Sequence, residues 1–127
     1  MNNSQLAIVL ASLAFAPALA AAPFAPSRED CGAQQNQTEM NACFGRDMNR
    51  ADGALNAAYA KRIQGMRDDP DGVKLLRAAE RAWVDFRERN CVFRAHGEEG
   101  GSVYLTMVAT CRIKMTEDRT KEIQADN

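Results

Sequence analysis

The chain has 127 residues, 16 basic and 17 acidic side chains for a formal net charge of −1, and 46% hydrophobic residues. That length suggests one domain. So even a charge balance excludes the ordinary nucleic-acid binder, which needs a basic surplus or stripe to neutralise phosphates.

The first segment, "QLAIVLASLAFAPALA", is an apolar run interrupted by Pro17 and followed by small residues. It is too short for a membrane span and fits a secretory h-region. Ala18-Leu19-Ala20 supplies a small-x-small cleavage pattern, so residues 1–20 read as a signal peptide cut after Ala20. No Lys or Arg precedes Arg28, which departs from the usual charged n-region. No cysteine directly follows the cleavage point, so no lipid anchor is expected. The exported product would be periplasmic or secreted, with no membrane anchor.

Residues 21–36 are rich in Pro, Gly and Gln and read as a leader tied down by Cys31. Residues 37–127 then form a single helical domain. Asn36 with Glu39 three residues later is an N-cap signature. Met40, Phe44, Met48, Ala51, Leu55, Ala58, Tyr59, Ile63 and Met66 recur at helical spacing, predicting a helix over about 37–66.

"RDDPDG" breaks that helix, with Asp69 placed to cap a second one and Pro70 at its first position, where the missing N–H costs nothing. Leu76, Ala79, Trp83, Phe86 and Phe93 mark a helix over about 70–94. Gly97, Gly100 and Gly101 around Glu98-Glu99 make a loop, which Ser102 can close as the cap of a third helix. Tyr104, Leu105, Val108, Cys111, Met115 and Ile123 give that helix, with a hitch at Thr116. No window shows a period of two. The expected fold is all-α: a small three-helix bundle built on a long antiparallel hairpin, with Leu55, Tyr59, Leu76, Trp83 and Phe86 in its core.

Four cysteines in a small exported chain read as two disulfides, for which three pairings exist. A hairpin turning near residue 69 would bring Cys43 level with Cys91, so a cross-pair is one option. The local pairs, Cys31–Cys43 and Cys91–Cys111, close short loops and are preferred. The first folds the leader back, and the second staples the glycine-rich loop. A metal site is disfavoured, because there is no C-x-x-C and only one histidine.

No catalytic constellation is present. His96 has no second histidine to work with, and Glu98-Glu99 are neighbours in a loop without defined geometry. The nucleotide-binding, zinc-protease and nucleophile-elbow motifs are absent. The chain is therefore read as a non-enzyme without cofactor. Asp52 and Asn56, four apart on the first helix, come level with residues 81 to 86 in a hairpin. They are expected to bond Arg81 or Arg87 and fix the register of the helices.

The blocks "QTEMNAC", "ADGALNAAY", "LRAAERAWVDFRERNC", "GGS" and "TEDRT", in that order between Cys31 and about residue 123, resemble the LprI-type lysozyme inhibitor N-terminal domain family. That resemblance implies a small bacterial envelope protein that binds a protein partner, lysozyme or another muramidase. It is compatible with the local disulfide pairing. The exposed candidates for such a contact are the loop residues His96, Glu98, Glu99 and Ser102 and the interhelix turn Asp68, Asp69 and Asp71. The alternative is a non-inhibitory envelope module, or an immunity protein with another protein partner. In every one of these readings the protein is expected to be a monomer.

Overall fold

A computed structural model describes residues 29–126. The proposed signal peptide and the first half of the leader, residues 21–28, lie outside the described residues. A short 3-10 turn (Cys31–Ala33) leads into α1 (Gln37–Gly65), α2 (Pro70–Ala95) and α3 (Ser102–Ala125). Among the described residues there is no strand.

The helix ends follow the local chemistry. The Asn36 side chain accepts the Glu39 N–H at 2.9 Å, filling one of the unbonded donors of the first turn. Asp69 does the same for Gly72 at 2.9 Å, with Pro70 at the first position of α2. The third helix differs from expectation. Gly101, not Ser102, is its N-cap, without a side-chain cap bond. The backbone accounts for this: a Cβ on Gly101 would lie 3.0 Å from the Glu98 carbonyl oxygen, so the tight turn reserves that place for glycine. No hitch interrupts α3 at Thr116. Its hydroxyl donates to the Arg112 carbonyl at 2.8 Å and the helix runs on.

The three helices form a bundle stapled by Cys31–Cys43 and Cys91–Cys111, the local pairing. Its centre is α3, which packs against both other helices and most extensively against α1. The two chain directions follow from the contacts. Met40 meets Thr106, Arg50 meets Glu117, and Leu55 with Ala58 meets Ile123, so α1 and α3 run parallel. Cys91 meets Cys111, Arg87 meets Thr116 and Glu80 meets Arg119, so α2 and α3 run antiparallel.

The core is built in three clusters along this axis. Cys31, Cys43, Phe44, Ala51 and Ile113 close the leader end. Leu55, Ala58 and Ile123 pack with Tyr59 and Trp83 near the interhelix turn. Cys91, Ala95 and Val108 pack with Tyr104, Cys111 and Met115 beside the second disulfide. Of the expected core residues, Leu55 is buried, while Tyr59, Leu76 and Trp83 are half-buried.

Phe86 is a correction: it is 58% exposed. The disulfide fixes which face of α2 meets α3, namely the line Arg87, Cys91 and Ala95. Phe86 stands one residue, about 100° of helix, away from that line and so projects outward.

Candidate functional site

The sequence pointed to two acidic exposed segments, and the fold sets them at opposite ends of the molecule. The turn Asp68-Asp69 precedes α2 and the loop 96–101 follows it. The 26 residues between them span about 39 Å of helix. No single compact contact would use both.

At the turn, Asp68, Asp69 and Asp71 are exposed, and Asp69 is occupied as the cap of α2. Asp71 reaches Lys74 only at 3.9 Å, between two almost fully exposed side chains. Local helix chemistry accounts for much of this turn.

The loop is more defined. Gly97 and Gly100 hold positive φ angles of 103° and 81°, a backbone region that side chains disfavour. Glu98 N–H donates to the Ala95 carbonyl at 3.1 Å, and Gly101 N–H to the Glu98 carbonyl at 2.9 Å. His96 Nδ1 stands 2.9 Å from Glu99 Oε1. That hydrogen bond, then the carboxylate charge, raises the His96 pKa above its usual 6.5. Beneath the loop the Cys91–Cys111 bridge joins its two flanking helices, with the Met115 sulfur 3.6 Å from Cys91 Sγ. His96, Glu98, Glu99 and Ser102 all face solvent. The result is a short acidic loop carried on a covalently closed base.

Between the two ends lies a lattice of ion pairs. Arg87 is 8% exposed and holds the centre. One of its terminal nitrogens donates to Asp52 at 2.8 Å on α1 and to the Thr116 hydroxyl at 2.7 Å on α3. Glu88 bonds both Arg87 and Arg112. The Arg87 guanidinium also covers one side of Trp83, 5.4 Å from the ring centre, and Arg119 lies 5.9 Å from it. Arg119 in turn pairs with Glu80 at 2.9 Å and Glu122 at 3.0 Å. Asn56 and Arg81, the other two residues expected to set register, are exposed and line a groove of about 480 Å³ between α1 and α2.

Two features escaped sequence reading. Asp47 is 2% exposed and accepts from Glu29 N–H at 3.2 Å and Arg50 Nε at 3.4 Å, while Arg50 bridges to Glu117 at 2.8 Å. Within "GRDMNR" nothing separates this acid from a surface one. The other is an open apolar line on α2, where Leu75 is 73% and Phe93 75% exposed. Its spacing runs beside that of the core-facing stripe, and periodicity alone does not divide the two.

Among the described residues no cluster of His, Cys, Asp or Glu could hold a metal ion. No described helix is long and apolar enough to cross a membrane.

The model of the family described as "Lysozyme inhibitor LprI" matches residues 27–123, most of the chain. A relative in Rhizobium meliloti (strain 1021), "Uncharacterized protein R02472", is 29% identical over 135 residues, covering 98% of this chain and 94% of its own. "Uncharacterized protein YecT" of Escherichia coli (strain K12) is 26% identical over 118 residues, covering 76% of this chain and 70% of its own. No solved structure matches significantly. The chain belongs to the LprI family.

Proposed function

We propose that this member of the lysozyme inhibitor LprI family is an exported protein that binds a cell-wall muramidase and occludes its cleft. The observation that carries the reading is the acidic loop 96–101, presented on a base closed by Cys91–Cys111. Family membership supports the target class, since the family takes its name from lysozyme inhibition. The two disulfides support an oxidising compartment, hence the periplasm or the cell exterior.

The mechanism is steric and electrostatic. A glycosidase cleft must admit a polysaccharide, so it is open enough to receive a narrow loop. Glu98 and Glu99 give that loop the charge to be steered towards a basic enzyme. Ordering a flexible loop on binding would cost affinity, and the disulfide with the loop's own backbone hydrogen bonds removes much of that cost. Ser102 and His96 border the acids and would form the rim. No residue of this protein does chemistry.

The test is lysis of a cell-wall suspension by a c-type lysozyme in the presence of the oxidised protein. Slowing at near-stoichiometric ratios, relieved by Glu98→Lys with Glu99→Lys, is the expected result. Undiminished lysis at a large molar excess would rule out that class of target.

A further inference from the structure

The open line on α2 has its own order. Leu75, Ala79, Ala82, Phe86, Arg89 and Phe93 follow one another at intervals of four, three, four, three and four. That is the spacing of the a and d positions in a coiled coil. All six are exposed, and nothing else in the described chain packs over them. Phenylalanines and a leucine left so open are uncommon on a monomer's surface.

We propose that a second copy of this chain covers the line, with α2 packing antiparallel against its two-fold mate. The sequence of the line is complementary to its own reverse. Turning it about a dyad near residue 84 sets Phe86 on Ala82 of the mate and Phe93 on Leu75. Arg89 then lays its stem over Ala79. Each large side chain meets a smaller one, and each contact occurs twice, as a two-fold interface requires. Shifting the register by one heptad leaves Phe93 or Leu75 without a partner.

Charge agrees with the same register. Arg81 of the mate comes within two residues, about 3 Å along the axis, of Asp85. Asp85 already holds Arg89 of its own helix at 2.9 Å, and Arg81 is exposed. By the same count the two Asp85 carboxylates also come within two residues of each other, and the Arg81 and Arg89 side chains of both copies, four cations in all, offset that pair. The surface covered is also sufficient. The exposed portions of these side chains amount to on the order of 500 Å² per copy, or about 1,000 Å² in all, where specific interfaces begin. The acidic loops would lie at the two far ends of such a dimer, free of the interface.

The experiment is sedimentation equilibrium of the oxidised protein from about 1 to 200 µM, with circular dichroism on each variant. The wild type is expected to reach twice its monomer mass. Phe86→Glu should be monomeric throughout with unchanged helicity and melting, since Phe86 lies outside the core. Asp85→Arg should weaken the dimer at least tenfold, and adding Arg81→Asp should recover most of that loss. A wild type that stays monomeric at 200 µM overturns the proposal, as does a dimer that survives Phe86→Glu. So does a monomer whose binding to lysozyme is abolished by Phe86→Glu, because the line would then belong to the target instead.

Discussion

Arg87 on α2 and Asp52 on α1 stand 2.8 Å apart, and the same guanidinium nitrogen lies 2.7 Å from the hydroxyl of Thr116 on α3. One side chain thereby touches all three helices at the level where they must agree on register. Because α1 and α2 approach each other little elsewhere, this bond is one of the few direct ties between them. Arg87 is buried on the α3 side, and Asp52 is open to solvent on the other.

Removing the two partners should therefore cost different amounts. Arg87→Ala deletes a buried cation that also covers Trp83, and a loss of about 3 kcal/mol is expected. Asp52→Ala leaves Arg87 with Glu88 and Thr116, and should cost about 1 kcal/mol, lowering Tm by roughly 4–8 °C. Thermal melts of the two single variants and of the double give a coupling energy. A coupling near zero would mean that the pair does not set register.

Trp83 is the chain's single tryptophan, so its fluorescence reports one place. It packs with Leu55, Ala58 and Ile123, while Arg87 and Arg119 lie over its ring. Arg119→Met keeps the unbranched stem of the side chain but removes the cation and its pairs with Glu80 and Glu122. The expected outcome is a changed emission maximum and a stability loss of about 1–2 kcal/mol. Trp83→Ala should cost about 3 kcal/mol, because the half-buried ring closes the end of the bundle.

The fold was readable because its ends are written in single residues. Asn36, Asp69-Pro70 and the glycines of 97–101 each have one local reason to stand where they do, and four cysteines in short loops left little choice of staple. What escaped reading depends on which face of a helix is covered. On α2 two lines compete, one through Phe86 and Phe93, the other through Arg87 and Cys91. Apolarity favours the first, yet the disulfide partner on α3 selects the second. Periodicity cannot see that choice. Asp47 was hidden for a related reason: burial of an acid depends on neighbours brought in from the leader and α3, not on its own segment. For the candidate site, exposure of His96, Glu98 and Glu99 was legible from the glycines, and their distance from the Asp68 turn followed from the length of the intervening helix, whereas the contact between His96 and Glu99 was not legible.

The loop should respond to pH through His96. Its contact with Glu99 raises its pKa in the folded protein, so the protonated form is the one the fold favours. The contribution is complete below the unfolded value of about 6.5 and fades as pH rises through the higher folded value. Glu99→Gln should bring the His96 pKa back towards 6.5 in an NMR titration. Half-molar salt should do the same in part, since both groups are exposed. A pKa that is unmoved by Glu99→Gln would show that the 2.9 Å contact is not maintained in solution.

The two disulfides should not be equivalent, although loop entropy alone makes them nearly so, at about 3 kcal/mol each. Cys91–Cys111 joins α2 to α3 and encloses the acidic loop, so every unfolding route of the bundle must feel its loss. Cys31–Cys43 ties the leader to α1, and its sulfurs are packed with Ile113 of α3, but it links no second long helix covalently. The variant Cys91→Ser with Cys111→Ser is expected to melt more than 10 °C lower and, on the proposed function, to slow lysis by lysozyme less than the wild type does. The variant Cys31→Ser with Cys43→Ser should melt lower by a smaller margin, while becoming sensitive to proteolysis at residues 29–36 as the backbone bond from Glu29 to Asp47 is released. Equal melting losses in the two variants would mean that the leader folds as one unit with the bundle, and that Asp47 is a keystone of the whole domain rather than of its end.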